Sequence, residues 1–384
     1  MADKLTHNPQ FMFRESELSR IQTQLEQNKS ILLVGIRRTG KTQVVKEALF
    51  RFQQSGGTAH YLDVQNYVSL NNFYRDLLAV MPKSVKQKLN DKLSSVKTIP
   101  SKLLNWFSSH VNKVGGAGLS IEMSNNDDTL ARYWEVLAEQ LGQILKAHPT
   151  EQLPVIGIDE LPFMLENLIQ KEVPTAELTV MLASIRKLRD SGLKLIIAGS
   201  ISMENLLDIH KIPHTVLGGL WRETIPPFTK EEAKTYLAHN LKAHSASHPD
   251  AINIALDKLP DYVPEFLSIS VAYLQGCKDI TEVEKTIEHQ VMPHINRAFI
   301  HQFNERLIKH YDSLETPIAE QILDQIAAGQ PQGTHIIASK MPTGYRQVLS
   351  KLQFDNFIID GDNFSLRFSL NLIRLWWQIT RGIQ

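Results

Sequence analysis

Two short stretches of the chain combine residue types that could do phosphate chemistry. The first is Gly35-Ile36-Arg37-Arg38-Thr39-Gly40-Lys41-Thr42, followed by Gln43. Glycines at both ends of the loop let the backbone wrap so that consecutive amides converge on one anion. A lysine placed directly after the second glycine reaches the β and γ phosphates of a nucleoside triphosphate, and the next hydroxyl ligates magnesium. The spacing therefore predicts ATP and Mg²⁺ as bound groups, with Gly35 through Gln43 as the cradle and Thr42 as a metal ligand. The second stretch is Ile156-Gly157-Ile158-Asp159-Glu160. An aspartate at a strand end is placed to hold the metal through water, and a glutamate beside it to orient and deprotonate an attacking water. Asp159 is assigned to the metal, and Glu160 and Lys41 to catalysis.

Two further catalytic candidates come with alternatives. Ser200, after Gly199, has the right chemistry to sense a γ-phosphate, and the same residue type after glycine also serves as a turn or a helix cap. An arginine finger would neutralise charge in the transition state. Arg222 is the candidate nearest a strand end. Arg186 and Arg189 share one helix face and read as solvated.

The elements around these residues have the required order. Ile31-Leu32-Leu33-Val34 is an unbroken apolar run, as expected of a strand buried on both faces. Val44, Val45, Ala48 and Leu49 resume helical spacing directly after the glycine loop. Residues 59–64, 154–159 and 194–199 read as sister strands, with a fifth near Glu223-Thr224-Ile225. Leu18, Ile21 and Leu25 mark a helix before the first strand. Strands alternating with helices predict a parallel sheet flanked by helices. Residues 83–113 carry seven lysines against one acid, Asp91, and read as an insertion whose lysines are a solvated helix face or an anion-binding surface. Thr229-Lys230-Glu231-Glu232 is a capping-box pattern that opens a helical region. From about residue 312, helices near 315–329, 334–341 and 344–353 precede Phe357-Ile358-Ile359-Asp360, a Gly361-Asp362-Asn363 turn, and Phe364 to Phe368. Three helices followed by a hairpin form the pattern of a winged helix-turn-helix.

Composition narrows the function classes. The 384 residues balance 41 Lys and Arg against 41 Asp and Glu, which argues against a chain that coats nucleic acid without specificity. Cys277 is the single cysteine, so no internal disulfide can form. No stretch approaches the ~18 apolar residues of a membrane span, and the start lacks the apolar core of a signal peptide. The expected location is cytoplasmic.

With these residues in place, the chain resembles the archaeal-type ATPase family, a branch of the P-loop NTPases related to AAA+ and STAND ATPases. The resemblance covers most of the chain. It begins at Phe11-Met12-Phe13-Arg14-Glu15-Ser16-Glu17-Leu18 and continues through the paired arginines of the loop, Asp159-Glu160 and Gly199-Ser200. It then runs through Trp221-Arg222 to Pro226-Pro227-Phe228-Thr229 and ends on Leu372-Ile373-Arg374-Leu375-Trp376-Trp377. It implies an α/β P-loop core over residues 1–228 with an insertion at about 83–125. A helical lid would span 229–310, and a C-terminal winged-helix domain 311–384. It also implies that Phe11 and Arg14 lie near the adenine, with Pro264 as a further base contact. The family's Gly-Gly-x-Pro reads Asp261-Tyr262-Val263-Pro264 here, so Pro264 is kept and both glycines are replaced.

Three functions fit this reading. One is an ATP-driven conformational switch reporting to a protein partner or a second copy of the chain. Another is an ATPase acting on DNA through the winged helix, as in origin-recognition initiators. The third is a nucleotide-bound scaffold that scarcely turns over. Residues 311–384 hold six basic residues and seven acids, a balance of −1 that does not support DNA binding by charge. Even so, Tyr345, Arg346, Gln347, Ser350 and Lys351 share the helix that would face a groove. Trp376 and Trp377 read as core.

Overall fold

The computed structural model describes residues 5–9, 11–94, 101, 104, 129–147, 153–242, 250–329, 332–333 and 341–383. The chain divides into two compact units, one of residues 1–34 and 41–224, the other of residues 35–40 and 225–384.

The first unit runs α1 (Glu15–Glu26), β1 (Ser30–Val34), α2 (Lys41–Gln54), β2 (Ala59–Asp63), α3 (Leu70–Ala79), α4 (Lys83–Ser94), α5 (Thr129–Ala147), β3 (Val155–Asp159), α6 (Leu161–Gln170), α7 (Thr175–Arg189), β4 (Lys194–Ile197), α8 (Met203–Ile209) and β5 (Leu220–Thr224). Its strands form one parallel sheet in the order β2-β3-β4-β1-β5. The apolar runs are explained by position: every residue of β3 is buried, as are the first four of β1. Helices cover both faces of such strands, so neither shows polar alternation. Gly157 in mid-β3 is required by this packing. A Cβ there would come within 2.6 Å of Val45 and 2.7 Å of Leu49, both on α2. Its absence lets α2 close on β3 and carries Thr42 to the strand's carboxyl end.

The lysine-rich region departs from expectation where it is described. Helix α4 presents Val85, Leu89 and Leu93 to the core. Lys86, read as part of a solvated face, is instead buried and donates from Nζ to the Ala79 carbonyl at 3.1 Å. Burial, with Lys83 nearby, holds its ammonium below the usual lysine range. Lys97, Lys102 and Lys113 lie outside the described residues.

The second unit contains α9 (Lys230–Lys242), α10 (Ala251–Lys258), α11 (Pro264–Leu274), α12 (Ile280–Thr286), a π turn (Ile287–Val291), α13 (Met292–His310), α14 (Glu315–Ala328), β6 (Gln332–Gly333), α15 (Tyr345–Phe354), β7 (Ile358–Asp360), β8 (Ser365–Phe368) and α16 (Asn371–Arg381). The capping box forms in full. The Glu232 amide donates to Thr229 Oγ1 at 3.2 Å, and the Thr229 amide to Glu232 Oε2 at 2.8 Å. Strands β6, β8 and β7 make a small antiparallel sheet in that order. The helix expected near 334–341 falls almost entirely outside the described residues. Lys351, expected to face a groove, is buried and bonded to Glu315 at 2.6 Å, whereas Arg346 and Gln347 are exposed. Trp377 is core, its indole donating to Asp324 at 2.8 Å. The Asp261 carboxylate, where the resembled family has glycine, accepts from the amides of Asn371 and Leu372 at 2.9 and 2.8 Å and so caps α16. Burial outweighs these donors and pushes its carboxyl up to about 6. No helix among the described residues is long and apolar enough to cross a membrane.

Candidate active site

Asp159 ends β3 and is buried. Its Oδ2 accepts from Thr42 Oγ1 at 2.6 Å and from Tyr61 Oη at 2.8 Å, while the Glu160 amide reaches Oδ1 at 3.1 Å. Thr42 comes from the first turn of α2 and Tyr61 from β2, so three elements converge on one carboxylate. Lys46 Nζ stands 4.4 Å from the centroid of the Tyr61 ring. Tyr61 was not singled out by sequence. It lies in no motif, and only the β2–β3 register, which pairs Tyr61 with Gly157 and Asp63 with Asp159, brings it to this end of the sheet. A threonine hydroxyl beside a carboxylate is an oxygen donor set suited to a hard cation such as Mg²⁺.

Glu160 follows with φ 60° and ψ 31°, a left-handed conformation that side chains seldom adopt. Its Oε2 accepts from both the amide and the hydroxyl of Ser200, at 2.9 and 2.8 Å. The two residues that sequence singled out separately are thus one hydrogen-bonded pair. Gly199 makes this approach possible, because a Cβ there would sit 2.5 Å from the ring of Pro162.

Between β1 and α2 the glycine loop has three positive φ angles: 130° at Gly35, 70° at Arg38 and 93° at Gly40. Alternating backbone handedness of this kind turns successive amides inward and makes an anion nest. Thr39 Oγ1 donates to the Ile36 carbonyl at 2.9 Å and closes the loop. The two arginine side chains are engaged with helices of the second unit, Arg37 with Gln302 on α13 at 3.3 Å and Arg38 with Glu265 on α11 at 3.1 Å. Lys41, the first residue of α2, is buried.

The other candidates fall as follows. Arg222 lies on β5, paired across the sheet with Leu32, and forms an ion pair with Glu204 in the first turn of α8; burial lowers its pKa. Arg186 and Arg189 bond to carbonyls of the 214–218 turn, Arg186 to Thr215 and Arg189 to Val216 and Gly218. Arg189 is therefore a buried structural residue, not the solvated one expected, and α7 delivers it to the amino end of β4, opposite Asp159. Arg14 is buried with φ 72°, and its guanidinium lies 3.5 Å from Glu17. Phe11 is half-buried, its amide bonded to the Asn8 carbonyl. This amino-terminal segment is tied to α2 by His7 with Glu47 and by Asn8 with the exposed Gln43. Pro264 opens α11.

No family model matches the chain, and no curated protein does. Solved structures do. A Walker-type ATPase of Pyrococcus abyssi is similar at 19% identity and a TM-score of 0.53, over 96% of both chains. The ORC2 protein of Aeropyrum pernix, in its ADPNP-ADP complexes, aligns at 12% identity and a TM-score of 0.44, over 99% of this chain and 98% of that one. The RuvB Holliday junction branch migration motor of Thermotoga maritima aligns at 11% and 0.37, over 97% and 96%. The first of these shares the architecture described above, and the fold is that of a P-loop ATPase.

Proposed function

We propose that the chain binds ATP with magnesium and hydrolyses it, and that the nucleotide state acts as a conformational switch. In this reading the amides of residues 35–42 receive the phosphates at the start of α2, where the helix dipole favours negative charge. Lys41 neutralises the β and γ phosphates. Thr42 and Asp159, now bonded to each other, would hold the metal. Magnesium would supply charge neutralisation on the β and γ phosphates when bound. Glu160 takes the proton of the attacking water, and Ser200, its partner, decides whether the carboxylate is held or free. Arg222 would serve as a finger only by leaving Glu204. Phe11, Arg14 and Pro264 are assigned to the base side.

The observation that carries hydrolysis is the Glu160–Ser200 pair next to the Asp159 cluster. The switch draws support from the loop arginines, whose partners Glu265 and Gln302 lie on the helices of residues 229–310, assigned as a lid. Residues 311–384, assigned as a winged helix, would report to a protein partner. Steady-state ATP hydrolysis with and without DNA tests the reading. Glu160→Gln is expected to keep ATP–Mg binding and lose roughly 10²–10⁴ in turnover, the range of a general base. Lys41→Ala is expected to lose binding. Equal turnover in Glu160→Gln and the unmutated chain would leave only a scaffold, and a DNA-stimulated rate would favour the DNA-acting alternative.

A further inference from the structure

The second unit holds a different concentration of polar side chains, none of them in the phosphate loop. A pocket of about 370 Å³ lies where the C-terminal end of α11 meets the π turn and the start of α13. Its walls include Tyr273, His289, Gln290, Pro293, His294 and Arg297. The π turn at Ile287–Val291 explains how they gather. It bonds residue i to i+5, so residues five apart, such as His289 and His294, come towards one side. Helix α13 then continues with α spacing, placing His294 four residues after Gln290 and Arg297 three after His294. Single π turns inserted in helices recur at functional sites.

The charge is one-sided. Among the described residues, no carboxylate lines the pocket. Glu288, next to His289 in sequence, is bonded to Lys258 at 2.6 Å, and Glu305, further along α13, faces His301 and Lys309. Among the described residues the side chains of Arg297, His289 and Gln290 have no hydrogen-bond or ion-pair partner, and the nearby Glu288 carboxylate interacts with His289 through charge alone. His294 does, because its Nδ1 lies 3.1 Å from the Tyr273 hydroxyl and the two rings meet edge-to-face. That contact fixes the imidazole and leaves Nε2 for another group. A guanidinium fork, two imidazoles and a carboxamide around a cavity without an acid are complementary to an anion with several acceptor oxygens. A phosphate group is the best match to the fork. The volume is near the small end of ligand pockets, about 300–1,000 Å³. It exceeds what a bare phosphate needs, and Pro293 and the Tyr273 ring offer an apolar wall.

We propose that this pocket binds a small phosphorylated molecule, its phosphate on Arg297, His289 and His294 and a ring-sized body against Tyr273 and Pro293. The test is histidine side-chain NMR of the full chain, with the two imidazoles assigned through His289→Gln and His294→Gln. Inorganic phosphate and ribose 5-phosphate are titrated in, and ribose serves as the neutral control, at constant ionic strength. Lys41→Ala protein is run in parallel to silence the phosphate loop. Saturable shifts of both imidazoles with the phosphorylated probes, retained in Lys41→Ala and absent with ribose, are expected. Arg297→Gln is expected to weaken them roughly tenfold, the worth of one charge-assisted contact. Absence of saturable shifts, equal shifts with ribose, or unchanged affinity in folded Arg297→Gln protein would overturn the site. Equal affinity for the two phosphorylated probes would overturn the ring-sized body.

Discussion

At the carboxyl end of β3, Asp159 is bonded by Thr42, Tyr61 and the Glu160 amide, and Glu160 by Ser200, so four elements of one unit lock two carboxylates in place. In the loop of residues 35–40 the long side chains behave differently. Arg37 and Arg38 reach to α13 and α11, and Arg38 holds its ion pair with 31% of its side chain still exposed. The acid end is therefore held by the protein's own contacts, with close packing behind it. The arginines are joined to helices by contacts that water can replace at small cost. On the proposed reading, chemistry that needs fixed geometry would belong at the first, and a change of state would begin at the second.

Substitutions that probe packing at the acid end should have the largest effects. Gly199→Ala places a methyl group against the Pro162 ring, which cannot swing aside as a flexible chain would. The expected cost is about 1–3 kcal/mol, the range for overpacking, read from urea denaturation. Turnover should fall with it, since Ser200 moves away from Glu160. A loss below about 0.5 kcal/mol, with turnover kept, would mean that the acid end is not rigid. Tyr61→Phe comes next. It removes one of the donors on Asp159 Oδ2 and leaves the fold alone. Removing such an outer partner should raise the magnesium concentration for half-maximal hydrolysis roughly tenfold. An unchanged magnesium dependence would remove Tyr61 from the site.

Much of this contrast could be read before the structure, and the part that could not has a physical reason. Continuous apolar runs announced β1, β3 and β4 because both of their faces are covered. The Thr229 capping box depends on contacts three residues apart, so it too was legible. Glu160 and Ser200 were each visible as candidates, but their bond spans 40 residues and depends on β3 and β4 lying side by side. Tyr61 needed the β2–β3 register. Lys86 and Arg189 misled because charge was read as exposure. Each long side chain instead runs inward and ends on backbone carbonyls, where a buried cation can be satisfied without a counter-ion. The π turn left no trace, since the helical pattern across residues 250–310 accommodates one extra residue.

The smallest expected effect is the one that decides whether the loop arginines really differ from the acid end. Arg38→Gly removes a side chain from a backbone position with φ 70°, where an L-residue is strained by about 1 kcal/mol. It also frees the unfolded chain by about 0.4–1 kcal/mol and deletes a half-exposed ion pair worth about 0–1 kcal/mol. These contributions oppose one another, so stability should change by less than about 1 kcal/mol. The loop amides are untouched, so ATP–Mg affinity should stay within roughly threefold. Loss of tenfold or more in a stably folded protein would mean that the guanidinium leaves Glu265 for the phosphates. Arg38 would then belong to the same charge network as Lys41 and Asp159. Glu265→Gln separates the two cases, since it keeps the guanidinium and removes only the charge that holds it. If Arg38 is reserved for the helix, that variant binds ATP like the unmutated chain; if Glu265 competes with phosphate for Arg38, it binds more tightly.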